Sequence, residues 1–240
     1  MGHQFSSSPS SEFAIQAIDL VKRYGEGASS TFALNHVTFN VAQRDFVSII
    51  GPSGSGKSTL LNIIGALDRP TSGRILIDGV DLAKLSNTAL ASLRNKKIGF
   101  VFQSFNLLSR ISARENIELP LMLSGRPAGE RRKVALRLLD QFGIASKADS
   151  KPSTMSGGEQ QRVAVARALV MDPSIILADE PTGNLDTKNT EVMMEVLEGL
   201  HRETKKTIVI ITHNIDLARR TRKVISIRDG QITDLKETTN

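Results

Sequence analysis

The sequence predicts an α/β fold: a mostly parallel sheet flanked by helices, with an antiparallel β subdomain near the N-terminus and an inserted helical subdomain. Three patterns carry this. The short runs Phe46 to Ile50, Ile98 to Phe102, Ile175 to Ala178 and Thr207 to Thr212 are nearly continuous in apolar residues, as strands covered on both faces are. Ala14 to Leu20, Phe39 to Val41 and Arg74 to Gly79 alternate instead, the pattern of a sheet with one wet face. Between Phe105 and Pro152 the period turns helical, and Arg131 to Phe142 sets Val134, Leu138, Leu139 and Phe142 on one face.

In chain order, the Ser-rich residues 1–12 are expected to form a disordered tail, and 13–236 a single domain with its helical subdomain at about 104–160. Gly25 to Ser30 and Asn35-His36 read as loop and turn. With 240 residues and 40% hydrophobic content the chain can bury one full core. The absence of cysteine excludes disulfides and thiolate metal sites. No apolar run approaches the roughly eighteen residues of a membrane helix, and the opening lacks the basic-then-apolar pattern of an export leader. A net charge of +6 favours anionic partners. The basic clusters at Arg131 to Lys133 and Arg219 to Lys223 have no interleaved aromatics, however, so nucleic-acid binding is not expected. His3, His36 and His201 read as surface residues.

Gly51-Pro52-Ser53-Gly54-Ser55-Gly56-Lys57-Ser58-Thr59 fits a phosphate-binding loop set between a strand and a helix that begins near Leu60-Leu61-Asn62-Ile63-Ile64. Glycines let backbone N–H groups converge on phosphate oxygens, Lys57 supplies a cation, and Ser58 can ligate Mg²⁺. Asp179 and Glu180 end a buried strand at the edge where α/β sheets bind ligands. One carboxylate can hold the hydrated metal, and the next can orient or deprotonate a water. His213 and Gln103 each follow another such strand. Tyr24, the only tyrosine, either stacks on a base or sits at the rim of the core.

Ser156-Gly157-Gly158-Glu159 opens a further helix. Serine and glutamate three apart form a capping box without any ligand. Two glycines in a first turn are poor helix formers, and are expected where something approaches the backbone closely.

The phosphate loop, Gln103, Ser156 to Gln160, Asp179-Glu180, Asn184-Leu185-Asp186 and His213 together resemble the ATP-binding cassette family, in the family's order and from about Ile15 to Ile232. The resemblance implies a P-loop NTPase (RecA-like) core that binds ATP and Mg²⁺, with Ser58, Gln103 and Asp179 at the metal. It further implies that Tyr24 stacks on adenine, that Gln103 also connects to a membrane partner, that Glu180 is the catalytic carboxylate and that His213 contacts the γ-phosphate. Asp186 would communicate across a dimer, and Ser156 to Glu159 would hold the triphosphate bound to the phosphate loop of a second, head-to-tail copy. The implied partners are that copy and an integral membrane permease. The implied location is cytoplasmic, peripheral on the inner membrane.

Pro181 to Asp186, Phe102 to Leu108 and Glu115-Asn116-Ile117 resemble the branch of lipoprotein-release, macrolide-export and cell-division ATPases. Arg44-Asp45, Met155 and Glu159 depart from the family's usual Gly-Glu, leucine and glutamine. Phe102 to Leu123, with Phe105, Leu107, Leu108, Leu119, Leu121 and Met122, is the expected docking segment; ordinary helical core is the other reading. The alternative function is a non-transport cassette ATPase acting in cell division or on nucleic acid; the DNA-repair and chromosome-organising cassettes normally insert long coiled coils or zinc modules, and this sequence has neither. A small-molecule kinase would have no use for the Ser-Gly-Gly signature.

Overall fold

The computed structural model describes residues 12–26 and 30–238. The expected tail lies outside the described residues except for Glu12, whose carbonyl accepts a hydrogen bond from the Gln43 N–H at 3.1 Å. Two sheets carry the chain. The smaller is antiparallel in the order β2-β1-β4-β5, from β1 (Phe13–Tyr24), β2 (Thr31–Ala42), β4 (Ser72–Ile77) and β5 (Val80–Asp81). The larger is ordered β10-β9-β3-β8-β7-β6, from β3 (Phe46–Ile50), β6 (Ile98–Phe102), β7 (Ile175–Asp179), β8 (Thr207–Thr212), β9 (Lys223–Arg228) and β10 (Gln231–Glu237). Its β9, β3, β8, β7 and β6 are parallel, and β10 closes the edge antiparallel to β9.

Three of the four continuous apolar runs became central strands, β3, β7 and β8, with both faces covered, and the fourth became the edge strand β6: Val47, Ile49, Leu177 and Val209 are fully buried. Helix α1 (Lys57–Ile64) fills the space between the two sheets with Leu60, Leu61, Ile63 and Ile64, each burial contributing about 1.5–3 kcal/mol. On the other face of the parallel sheet, α6 (Thr187–Thr204) packs Met193, Met194, Leu197 and Leu200.

The helical insertion contains α3 (Ala113–Leu123), α4 (Ala128–Gln141) and the start of α5 (Gly157–Leu169). Its core joins Ile117 and Leu121 to Ala135, Leu138 and Leu139. Helix α5 is shared between layers. Val163 and Ala166 face the insertion, while Val165 and Leu169 face the parallel sheet. The helix that begins at Ser156 is thus riveted to both.

Several expectations are corrected. Asn35-His36 is no turn but lies inside β2, where the chain bulges. His36 and, on β1, Asp19 both take positive φ (55° and 52°), and their side chains meet at 2.7 Å. This accommodates the register shift between Ala17 and Leu20 without ending either strand. His201 is no surface residue but half-buried, stacking on Phe46 with centroids 5.4 Å apart and its Nδ1 3.0 Å from the Lys206 carbonyl. Helix α2 (Asn87–Lys97), capped by Ser86, and the β9–β10 hairpin with α7 (Ile215–Ala218) before it are further elements.

Candidate active site

The strand order β3-β8-β7-β6 sets four chain segments side by side at one carboxyl edge. The ladders align Ile50 with Thr212, Ile211 with Asp179, and Asp179 with Phe102. The phosphate loop, His213, Glu180 and Gln103 each follow their own strand there, which is how residues scattered over 160 positions of sequence become neighbours.

The phosphate loop turns sharply into α1. Gly56 takes φ 101°, and a Cβ there would lie 2.3 Å from the Ala33 carbonyl oxygen, so only glycine fits. The Lys57 ammonium donates to the carbonyls of Gly51 at 2.8 Å and Pro52 at 2.7 Å, which fixes the cation over the loop. The Ser55 hydroxyl is buried without a protein partner, while Pro52, Ser53, Gly54 and Ser58 are exposed and Thr59 half-buried in α1.

Burial, then the adjacent Glu180 charge, push the Asp179 carboxyl above its ordinary value, and Lys57 pulls the other way. Glu180 takes φ 45°, outside ordinary strand geometry, and its N–H donates to the Ile211 carbonyl at 2.9 Å. This turns its side chain onto His213, whose Nδ1 lies 2.9 Å from Glu180 Oε1. An ionised carboxylate only accepts, so Nδ1 is then the protonated nitrogen. His213 itself is exposed at the mouth of the edge.

Gln103 is exposed and exchanges contacts with Asn184: Asn184 Nδ2 donates to the Gln103 carbonyl at 2.9 Å, and Gln103 Nε2 reaches Asn184 Oδ1 at 3.5 Å. Beyond Gln103, Phe105 and Asn106 both take positive φ. Their carbonyls are held by the guanidinium of Arg167 from α5, whose burial pulls its pKa below the ordinary value. Sequence reasoning missed Arg167, since nothing in its surroundings marks it as a partner 62 residues away.

At the start of α5 both halves of the capping box are made. The Ser156 hydroxyl accepts from the Glu159 N–H at 3.3 Å, and Glu159 Oε2 accepts from the Ser156 N–H at 2.8 Å. Lys147 holds the other carboxylate oxygen at 3.1 Å. The Ser156 N–H, first among these influences, and Lys147 hold the Glu159 carboxyl below its ordinary value.

The two glycines differ, which corrects the expectation that both serve only an approaching ligand. A Cβ on Gly157 would meet nothing closer than Leu185 at 3.8 Å, whereas one on Gly158 would lie 2.7 Å from Asn189 Oδ1. Asn189 is itself fixed by Asp186, which caps α6: Asp186 accepts from the Asn189 N–H at 2.8 Å and from its Nδ2 at 2.9 Å. Asn189 is a residue the sequence reading missed, although Asp-x-x-Asn before an amphipathic run was a visible cap signal.

Tyr24 stands exposed at the end of β1, with its hydroxyl donating to Asp68 at 3.1 Å and the Lys22 ammonium 5.0 Å from its ring centre. An apolar-walled groove of about 780 Å³ opens between α2, β6, α3 and α5, lined in part by Phe100, Phe102, Asn106, Pro120 and Leu123. Within Phe102 to Leu123 the two readings divide by residue. Leu121 is buried core, Phe105, Leu107 and Leu119 are half-buried, and Leu108, Met122 and Leu123 are exposed.

The ABC transporter family profile matches residues 34–183. The chain is 49% identical over 213 residues to the lipoprotein-releasing system ATP-binding protein LolD 1 of Rhodopseudomonas palustris, covering 88% of this chain and 94% of that one. It is 48% identical to the macrolide export ATP-binding/permease protein MacB of Chlorobaculum tepidum, covering 92% of this chain but 34% of that longer protein. Among solved structures, a dimeric post-hydrolysis state of the ATP-binding cassette MJ0796, bound to ADP and phosphate, superposes with a TM-score of 0.87 at 44% identity, covering 94% of this chain and 99% of that one. Shared sequence and shared fold over nearly the whole domain lead to one assignment: the chain belongs to the ABC transporter family, as one of its ATP-hydrolysing ATP-binding domains.

Proposed function

We propose that two copies of this chain close head to tail around two ATP molecules and drive a separate membrane permease, as a peripheral subunit on the cytoplasmic face. The observation that carries the reading is the contact of Glu180 with His213 at 2.9 Å, on the same sheet edge as Lys57 and Asp179. The relatives named for lipoprotein release and macrolide export support a permease partner.

In this reading backbone N–H groups from Gly51 to Thr59 and the Lys57 cation hold the phosphates, and Tyr24 packs on the base. Ser58, Gln103 and Asp179 offer oxygen donors only, which suits a small hard cation such as Mg²⁺. Among the described residues no group of three or more His, Asp or Glu gathers as a metal cage. When bound, Mg²⁺ neutralises charge on the phosphates.

Glu180 accepts a proton from the attacking water, and its bond to His213 fixes the carboxylate's direction before the water arrives. The Ser156 to Glu159 turn contributes N–H groups to the partner copy's ATP, and Asp186, capping α6 beside it, reports across the interface. Loss of the γ-phosphate removes what both copies hold, and the dimer opens. The groove beside Gln103, with exposed Leu123 at its edge, would receive the permease.

Glu180→Gln tests this reading. It keeps shape but cannot take the proton, so ATP affinity should persist, the dimer should become long-lived, and turnover should fall by roughly 10²–10⁴-fold. Parental turnover in the variant would remove Glu180 from the chemistry. Membrane proteins captured on the ATP-loaded variant would identify the permease.

A further inference from the structure

The segment between β8 and β9 begins with His213 and continues into the four-residue α7, so whatever fixes α7 fixes where the histidine can sit. Its near end is local: Asn214 Oδ1 accepts from the N–H groups of Asp216 at 2.9 Å and Leu217 at 3.2 Å. Its far end has two anchors of different kinds. The buried Thr221 hydroxyl contacts Ser48 on β3 at 3.1 Å and donates to the Ala218 carbonyl at 2.7 Å, joining α7 to the strand that feeds the phosphate loop. Arg220 instead reaches away from the sheet. Its Nε and Nη2 form a two-pronged bond to Glu198 at 2.7 and 3.0 Å, and its Nη1 bonds Glu191 at 2.6 Å.

Glu191 and Glu198 lie seven residues apart, two turns along the same face of α6. A planar guanidinium that engages both holds α6 in register against α7 in a way that no single contact could. Two residues before Glu191, at the start of α6, Asn189, which Asp186 holds, meets Gly158. The N-terminal half of α6 is therefore gripped both by the segment that carries His213, on the chain's own ATP site, and by the signature turn the chain offers to the other. Thr221, Leu217 and Ala218 are buried, so α7 has anchors besides the Arg220 fork.

We propose that Arg220 is a positioning residue that couples the two ATP sites: by clamping α7 to α6 it makes the setting of His213 in one site depend on the setting of Ser156 in the other. The proposal rests on the two-site dimer described above.

It is tested by steady-state ATP hydrolysis of the purified chain, comparing the parent with R220A and R220K and recording melting temperature alongside. The parent should show a Hill coefficient of nearly two. R220A should keep its half-saturating ATP concentration within about twofold and its melting temperature within a few degrees, while kcat falls about tenfold and the Hill coefficient drops toward one. R220K, which keeps the charge but not the fork, should fall between the two. A parental kcat and Hill coefficient in R220A would overturn the proposal. So would a loss of kcat at an unchanged Hill coefficient, since that is what a purely structural role predicts. Should R220A fail to fold, the double variant Glu191→Gln with Glu198→Gln removes the charges while keeping shape, and the same readings decide. A parental Hill coefficient of one would overturn the two-site reading itself, and the clamp with it.

Discussion

At the start of α1 the Lys57 ammonium is wrapped onto the loop's own carbonyls, Ser55 is buried without a partner, and Gly56 is held at φ 101°. At the start of α5, by contrast, Ser156 and Glu159 satisfy each other and Lys147 completes the carboxylate. Both are helix N-termini able to receive an anion. The first is left incomplete by its own chain and the second is already complete. A ligand therefore gains directly by binding the first. At the second it must compete with a cap worth about 1 kcal/mol, which fits a surface that should grip only when a partner brings the phosphate to it.

The largest effect that sharpens this contrast should come from Lys57. Lys57→Ala removes a fixed cation at a desolvated site, and charge-assisted hydrogen bonds there contribute about 3 kcal/mol, or roughly a hundredfold in ATP affinity. Calorimetric titration of the nucleotide would measure it. A loss of less than threefold would mean that the phosphate loop is no less complete in itself than the signature turn.

The glycines at the second site come next, and here the expected signs differ. With no nucleotide present, Gly158→Ala must displace the Asn189 amide from Asp186, at a cost of about 1 kcal/mol or more. Gly157→Ala meets no crowding and removes a poor helix former, so it should be neutral or stabilise by up to about 0.5 kcal/mol. In melting experiments this separates the two by roughly 2–6 °C. Equal losses would show that Gly157 also has a packing role within its own chain.

What the sequence discloses follows the same division. The phosphate loop is legible to the residue because strand, glycines, lysine and helix are consecutive, and the spacing alone fixes the geometry. Asp179, Glu180, Gln103 and His213 are legible one step less directly. Each ends an apolar run, and parallel strands bring their carboxyl ends to one edge. The signature turn read as a cap and as an anion site at once, and local pattern could not rank the two. Arg167 on the carbonyls of Phe105 and Asn106, Asn189 against Gly158, and Arg220 on α6 were invisible. They join elements 22 to 62 residues apart through side chains whose types are ordinary on any surface. The Asn35-His36 bulge misled because residues that favour positive φ mark turns far more often than interruptions within a strand. The β9–β10 hairpin did leave a signal, Asp229-Gly230 between alternating residues.

The smallest effect tests the completeness of the second site most directly. With its carboxylate turned to the Ser156 N–H and to Lys147, Glu159 should contribute little repulsion to a phosphate brought by the partner. Glu159→Gln, which can still close a capping box, should then change the ATP concentration needed for dimerisation by less than threefold. A gain of tenfold or more would put the carboxylate on the phosphate side. The pH dependence gives an independent check. Because the folded-state carboxyl lies below its unfolded value, the parent's extra stability over the glutamine variant is present above about pH 4.3, the ordinary glutamate range. It is lost as pH falls through the lower, folded-state value. Melting curves of parent and variant should therefore differ by about 1–2 °C at neutral pH and converge in acid. A difference that persists below that range would assign it to shape and not to charge, and the carboxylate's hold on its own cap would then count for nothing in keeping the signature turn closed to itself.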